Sequence, residues 1–198
     1  MLNYSIWNNY RDFFPHKYWK WGKFDDIVEQ TIQNRKPENA LDIGGGVFGS
    51  DVLKKSNVTS DLLDPYINVK PNWMNNLTKW NNDKKYDLVI CRGAINYLTK
   101  EEIALIPTFI SSGGIFLANT FLDKPSDVKT SFFTADNGLK GVEKAYFENG
   151  LIKHELNFAD FSIHHQFFYY SKNDYQLFFK NVEFKQYGTN SCCLVLKE

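Results

Sequence analysis

The sequence predicts an α/β protein with a mostly parallel sheet covered on both faces. Three observations predict it: short, continuously apolar runs alternate with helix-patterned segments, the first such run enters a triple glycine, and the composition suits a packed core. Of the 198 residues, 43% are hydrophobic and 23% charged, which is one domain's worth of globular chain.

The elements follow in order. Phe24, Ile27, Val28 and Ile32 fall at helical spacing across residues 23–34, with Asp25 and Asp26 in the first turn, and Pro37 ends the helix. Residues 39–43 form a short apolar strand, 51–55 a short helix and 58–63 a second strand closed by Asp64-Pro65. Residues 68–85 are polar and Asn-rich, with at most a weak strand. Tyr86–Cys91 is a buried strand, and Thr99 opens a helix with Glu102 completing a capping box. Gly113-Gly114 turns the chain into a buried strand at 115–120. Glu148-Asn149-Gly150 makes a hairpin turn between alternating segments at 145–147 and 151–158, and 162–170 is a further strand. Ser171, boxed by Asp174, begins a helix carrying Leu177, Phe178 and Phe179, and strands at 182–187 and 191–197 close the chain. So short a final connection requires an antiparallel pair.

The sharpest motif is LDIGGGVFG, residues 41–49. Gly44, Gly46 and Gly49 match G-x-G-x-x-G after a strand and before a helix, where glycines permit a tight turn and close approach of a ligand to the backbone. Asp64 lies 20 residues beyond Gly44, at the end of the second strand, where a carboxylate can accept both hydroxyls of a ribose. An adenosine-type ligand follows. Asp42, two residues before Gly44, places a negative charge under the loop. That repels a pyrophosphate and suits a ligand bearing an ammonium and a sulfonium, so S-adenosylmethionine is favoured over NAD.

These residues resemble the class I S-adenosylmethionine-dependent methyltransferases from about Phe24 to the end. LDIGGGVFG is similar to that family's first motif, although the usual third glycine falls on Phe48. LLDPY (62–66) resembles the second motif, KKYDLVICRGAINYL (84–98) the fourth-strand motif and SSGGIFLANTF (111–121) the fifth strand. The closing helix and two strands resemble the family's reversed seventh strand set between the fifth and sixth. The resemblance implies a Rossmann-like, doubly wound, seven-stranded sheet with an antiparallel C-terminal strand. It implies a single methyltransferase domain: an N-terminal lid and helix (1–36), a cofactor-binding half (37–121), a substrate-side insertion (122–170) and a closing helix and hairpin (171–198). S-adenosyl-L-methionine would be held by Asp42, Gly44, Gly45, Gly46, Asp64, Pro65, Asn76, Leu77, Cys91 and Arg92, with Asn76-Leu77 on the adenine side. Arg92 could instead hold a substrate carboxylate or form an ion pair. Asn96 stands where many relatives carry His.

Methyl transfer demands alignment, exclusion of water and removal of a proton from a hydroxyl nucleophile. Of the four histidines, His165 shares a strand face with Ile163, Phe167 and Tyr169 and is the candidate general base. No histidine pair has metal spacing with a third ligand, so no metal is expected. Aromatics concentrate at the sites the resemblance assigns to a lid, including Tyr4, Trp7, Tyr10, Phe14, Tyr18, Trp19 and Trp21, then Tyr146, Phe147 and 167–170. Their faces suit a cationic methyl and a flat small molecule.

Lys+Arg and Asp+Glu are both 23, and only three of the basic residues are arginine, which argues against nucleic acid as a partner. No stretch is long and apolar enough for a membrane span, no apolar signal region opens the chain, and three cysteines make no disulfide framework, so a cytoplasmic location is expected. The function expected is methyl transfer to an O or N nucleophile of a small molecule. The competing readings are an NAD-binding oxidoreductase and an inactive methyltransferase-like partner protein.

Overall fold

A computed structural model describes residues 23–45, 50–64, 83–121, 128–134, 138, 140–187 and 191–197, with the backbone alone for Phe133, His165 and Ser191. The aromatics expected of an N-terminal lid, from Tyr4 to Trp21, lie outside these residues. The chain divides into two compact units, one of Trp21–Leu122 with Tyr170–Glu198, the other taking in Asp123–Tyr169.

The larger unit contains helix α1 (Lys23–Arg35), strand β1 (Asn39–Ile43), helix α2 (Asp51–Lys55), β2 (Thr59–Leu63), β3 (Tyr86–Cys91), α3 (Lys100–Leu105) and β4 (Ile110–Phe121). After the other unit's strands β5 (Lys129–Thr134), β6 (Lys140–Glu148), β7 (Leu151–Asn157) and β8 (Ser162–Phe168), it is completed by α4 (Lys172–Phe178), β9 (Glu183–Gln186) and β10 (Ser191–Lys197). Its sheet has the order β2-β1-β3-β4-β10-β9. The first four strands are parallel, and β10 runs antiparallel to both β4 and β9. The sheet thus holds six strands among the described residues against the seven expected; most of the segment expected to carry the weak strand, 68–85, lies outside them.

Burial explains the unbroken apolar runs. Leu41, Ile43, Leu88, Val89 and Ile90 are all fully buried although their side chains alternate between faces, because both faces of the central strands are covered. On one face Phe24, Val28 and Ile32 of α1 cluster with Leu88, Ile90, Ile115 and Leu117. On the other, Phe116 meets Phe179 at 5.7 Å between ring centres.

Gly113-Gly114 departs from the expected turn and lies inside β4. Pairing passes from Tyr86↔Ile110 to Leu88↔Ile115, so the extra residues bulge out of a strand that continues on both sides. Gly113 takes φ +80°, and a Cβ on Gly114 would come within 2.9 Å of the Ser111 and Tyr86 carbonyl oxygens.

Both expected capping boxes form. Thr99 Oγ1 accepts the Glu102 N–H at 3.3 Å while Glu102 Oε2 accepts the Thr99 N–H at 2.8 Å. Thr99→Ala is therefore expected to cost about 1 kcal/mol, read as a lower urea midpoint with an unchanged slope.

The smaller unit is an antiparallel meander, β5-β6-β7-β8. Asn149 (φ 51°) and Gly150 (φ +82°) form its two-residue β6–β7 turn, the left-handed pair that matches strand twist. Strand β5 escapes the sequence because KTSFFT is short and polar at both ends, so it shows no clean alternation even though Pro125 and Asn137-Gly138 flank it. Ile152, Leu156 and Ile163 are buried on one face of this sheet.

Candidate active site

The parallel strands bring the sequence-predicted acids together at their C-terminal ends, where βα units leave ligand crevices. Asp42 is the penultimate residue of β1, between Leu62 on β2 and Ile90 on β3. It is 1% exposed. Its Oδ2 accepts the Ser50 N–H at 2.6 Å, at the start of α2, while Oδ1 and Ser50 Oγ have no hydrogen-bond partner among the described residues. Burial pushes the Asp42 carboxyl up to about 6, against the hydrogen bonding from Ser50 and the charge of Arg92, with Asp64 adding to the rise.

Gly44 takes φ +76°, and a Cβ there would lie 2.3 Å from the Ala94 Cβ. Its N–H donates to the Leu63 carbonyl at 2.8 Å, which ties the glycine turn to the end of β2. A Cβ on Gly45 would sit 2.3 Å from Asp42 Oδ2 and 2.8 Å from a Leu62 methyl, so those side chains would have to move to admit one. Asp64 follows β2 directly and is 5% exposed. Gly46, Pro65, Asn76 and Leu77 lie outside the described residues.

Cys91 ends β3 fully buried, and burial raises its thiol well above the usual range, so its side chain stays protonated. Arg92 has a protein partner: Nη1 reaches Asp25 of α1 at 3.1 and 3.3 Å, with the Arg92 side chain 10% exposed. A ligand carboxylate would share that guanidinium with Asp25. Their separation of 67 residues leaves no trace of the pair in the sequence pattern.

His165 lies on β8 opposite His154 of β7. His154 Nε2 is 2.5 Å from Glu143 Oε1, and Glu143 Oε2 accepts the Ser131 hydroxyl at 3.1 Å. Among the described residues no group of three His, Cys, Asp or Glu could hold a metal ion, and no helix is long and apolar enough to cross a membrane.

Three buried residues outside the sequence-predicted set also make contacts here. Ser50 occupies Asp42, and Asn119 and Thr120 hold the segment after β3. The signal for the last two is a polar pair ending an otherwise apolar strand, IFLANT.

No protein-family model and no curated protein matches the sequence. Solved structures do match the fold. The CcbJ methyltransferase from Streptomyces caelestis is similar with a TM-score of 0.65 at 11% identity, over 87% of each chain. The glycopeptide N-methyltransferase MtfA complexed with S-adenosyl-L-methionine gives 0.54 at 11% identity, over 85% of this chain and 91% of that one. The fold is that of the class I S-adenosylmethionine-dependent methyltransferases. The 1,6-didemethyltoxoflavin-N1-methyltransferase of Burkholderia thailandensis, with bound 1,6-didemethyltoxoflavin and S-adenosylhomocysteine, extends the likeness to 98% of this chain and 84% of its own, with a TM-score of 0.53 at 9% identity. Asp42 lies within β1, two residues before Gly44, and Asp64 directly follows β2.

Proposed function

We propose that the protein transfers a methyl group from S-adenosyl-L-methionine to an O or N nucleophile of a small-molecule acceptor. The observation that carries this reading is the charge at the glycine turn: a buried aspartate, with one oxygen on the Ser50 N–H and the other without a hydrogen-bond partner among the described residues, lies beneath a turn whose Gly44 leaves no room for a Cβ. The Ser50 N–H, which a pyrophosphate would need at the start of the helix, is already taken by Asp42, and that helix is only five residues long. The site therefore suits a cationic ligand better than a dinucleotide.

Bound S-adenosylmethionine supplies a methyl carbon on a positively charged sulfur, which keeps the C–S electron pair as the acceptor's lone pair attacks in line. The chain's own contributions are distinct from that chemistry. Asp64 would accept the ribose hydroxyls. Gly44 and Gly45 would let the backbone approach, and Asp42 would supply the negative potential that favours ammonium and sulfonium. Cys91 and Arg92 would border the methionine end through the backbone that leaves β3. His165 is the proposed acceptor for the proton that a hydroxyl nucleophile gives up. The names of the similar structures, which include N-methyltransferases of a glycopeptide and of 1,6-didemethyltoxoflavin, support an acceptor of modest size.

Calorimetric titration tests the reading. S-adenosylmethionine is expected to bind and NAD to give no heat of binding. Binding of NAD alone would make the protein a dinucleotide oxidoreductase, and binding of neither would leave a partner protein built on this fold.

A further inference from the structure

Asn119 and Thr120, at the end of β4, have no role in the function described above. Consecutive strand residues point to opposite faces, and both are buried, 4% and 2% exposed. The β3–β4 pairing ends at Cys91↔Ala118, whereas β10 continues beside β4 through Asn119↔Cys193 and Thr120↔Cys192. From that point the chain leaving β3 is held by side chains. Asn119 Oδ1 accepts the Gly93 N–H at 2.5 Å. On the opposite face Thr120 Oγ1 donates to Asn96 Oδ1 at 3.1 Å and shares a 2.8 Å hydrogen bond with the Tyr175 hydroxyl of α4.

Gly93 and Asn96 are therefore gripped from the two faces of the sheet. Between them lies Ala94, the residue whose Cβ fills the space a Gly44 side chain would need. A 3₁₀ turn closed by the Tyr97 N–H on the Ala94 carbonyl at 2.9 Å stiffens the same segment. Burying an amide and a hydroxyl at the end of an apolar strand gains the sheet little over apolar residues of the same shape. What the pair adds is a fixed place for residues 92–98 against the glycine turn.

We propose that Asn119 and Thr120 are positioning residues for the ligand site: neither touches the ligand, and together they set the wall formed by residues 92–98 at its methionine end. This inference rests on the S-adenosylmethionine reading.

The test compares calorimetric affinities for S-adenosylmethionine and for 5′-methylthioadenosine, which lacks the amino-acid group. Thr120→Val and Asn119→Ala are each expected to weaken S-adenosylmethionine about tenfold and leave 5′-methylthioadenosine within about twofold, since each leaves a buried polar partner unmet beside that end of the site. Thr120→Ser, which keeps the hydroxyl, is expected to restore wild-type affinity. Should Thr120→Val not fold, Tyr175→Phe removes one hydroxyl from the same network and carries the same expectation. Equal weakening of both ligands, or a lowered unfolding midpoint with S-adenosylmethionine affinity unchanged, would overturn the proposal and leave the pair a purely structural role. Wild-type protein that binds neither ligand would overturn the cofactor reading, and the positioning proposal with it.

Discussion

Asp42→Asn is expected to make the protein more stable at neutral pH and less able to bind its ligand. The carboxyl is buried, and burial lifts it from an ordinary value of 3.8 to about 6. A group raised on folding contributes stability that is complete below its unfolded value and is lost as pH climbs through the folded one. The wild-type protein therefore loses stability from this group between about pH 4 and 6, and above that range it carries the full cost of an ionised buried carboxylate. At about 1.4 kcal/mol per pH unit, that cost is on the order of 2–3 kcal/mol. Asparagine keeps an oxygen for the Ser50 N–H and has no charge to desolvate. Urea unfolding at pH 7.5 should show the variant more stable by that amount, and the difference should vanish near pH 4. Groups whose carboxyls are held low, such as Asp61 and Asp174, slope the other way in both proteins and cancel in the comparison. The same substitution removes the negative potential beneath the glycine turn, so S-adenosylmethionine affinity should fall. Wild-type affinity should likewise fall as the pH drops below about 6, when Asp42 takes up its proton. A variant that is both less stable and unaltered in binding would show that the charge neither strains the fold nor serves the site.

Asp64→Ala is expected to weaken S-adenosylmethionine by about 1.5–3 kcal/mol, the worth of hydrogen bonds to a charged group, or roughly 10- to 150-fold. Calorimetry reads this directly. Asp64 lies at 5% exposure after β2, so the change also removes a like charge that raises Asp42. Unfolding measured alongside separates that effect from ligand loss. An unchanged affinity would show that the ribose acid lies elsewhere.

The two variants draw on different parts of what makes the site. In the proposed function Asp64 would act by direct contact with the ligand and should matter to any adenosine compound. Asp42 would act through its field and should matter most to compounds that carry positive charge. Parallel titrations with S-adenosylmethionine and 5′-methylthioadenosine should therefore separate them, the Asp64 variant losing affinity for both ligands and the Asp42 variant chiefly for the first.

Much of this molecule was legible in local pattern. The helix at 23–35, the buried strands at 39–43 and 86–91, the Asn149-Gly150 hairpin and both capping boxes each depend on residues within a few positions of one another, so spacing and turn chemistry were enough to find them. The glycine turn and the acids at 42 and 64 were legible for the same reason. The glycine bulge within β4 was not, because whether a Gly-Gly pair turns the chain or lets a strand run on depends on the strand beside it. Nor was β5, whose polar residues form a strand by pairing with β6.

By itself the sequence determined most of the elements, their order and the charges placed at the glycine turn, since these follow from period, propensity and charge along the chain. Only the tertiary structure decided what that chemistry meets. It set Asp42 against Ser50, gave Arg92 to Asp25 and placed Asn119 and Thr120 on the segment after β3. These partners are 8, 67, 26 and 24 residues apart, and what brings them together is the order in which strands and helices pack, which no local pattern encodes.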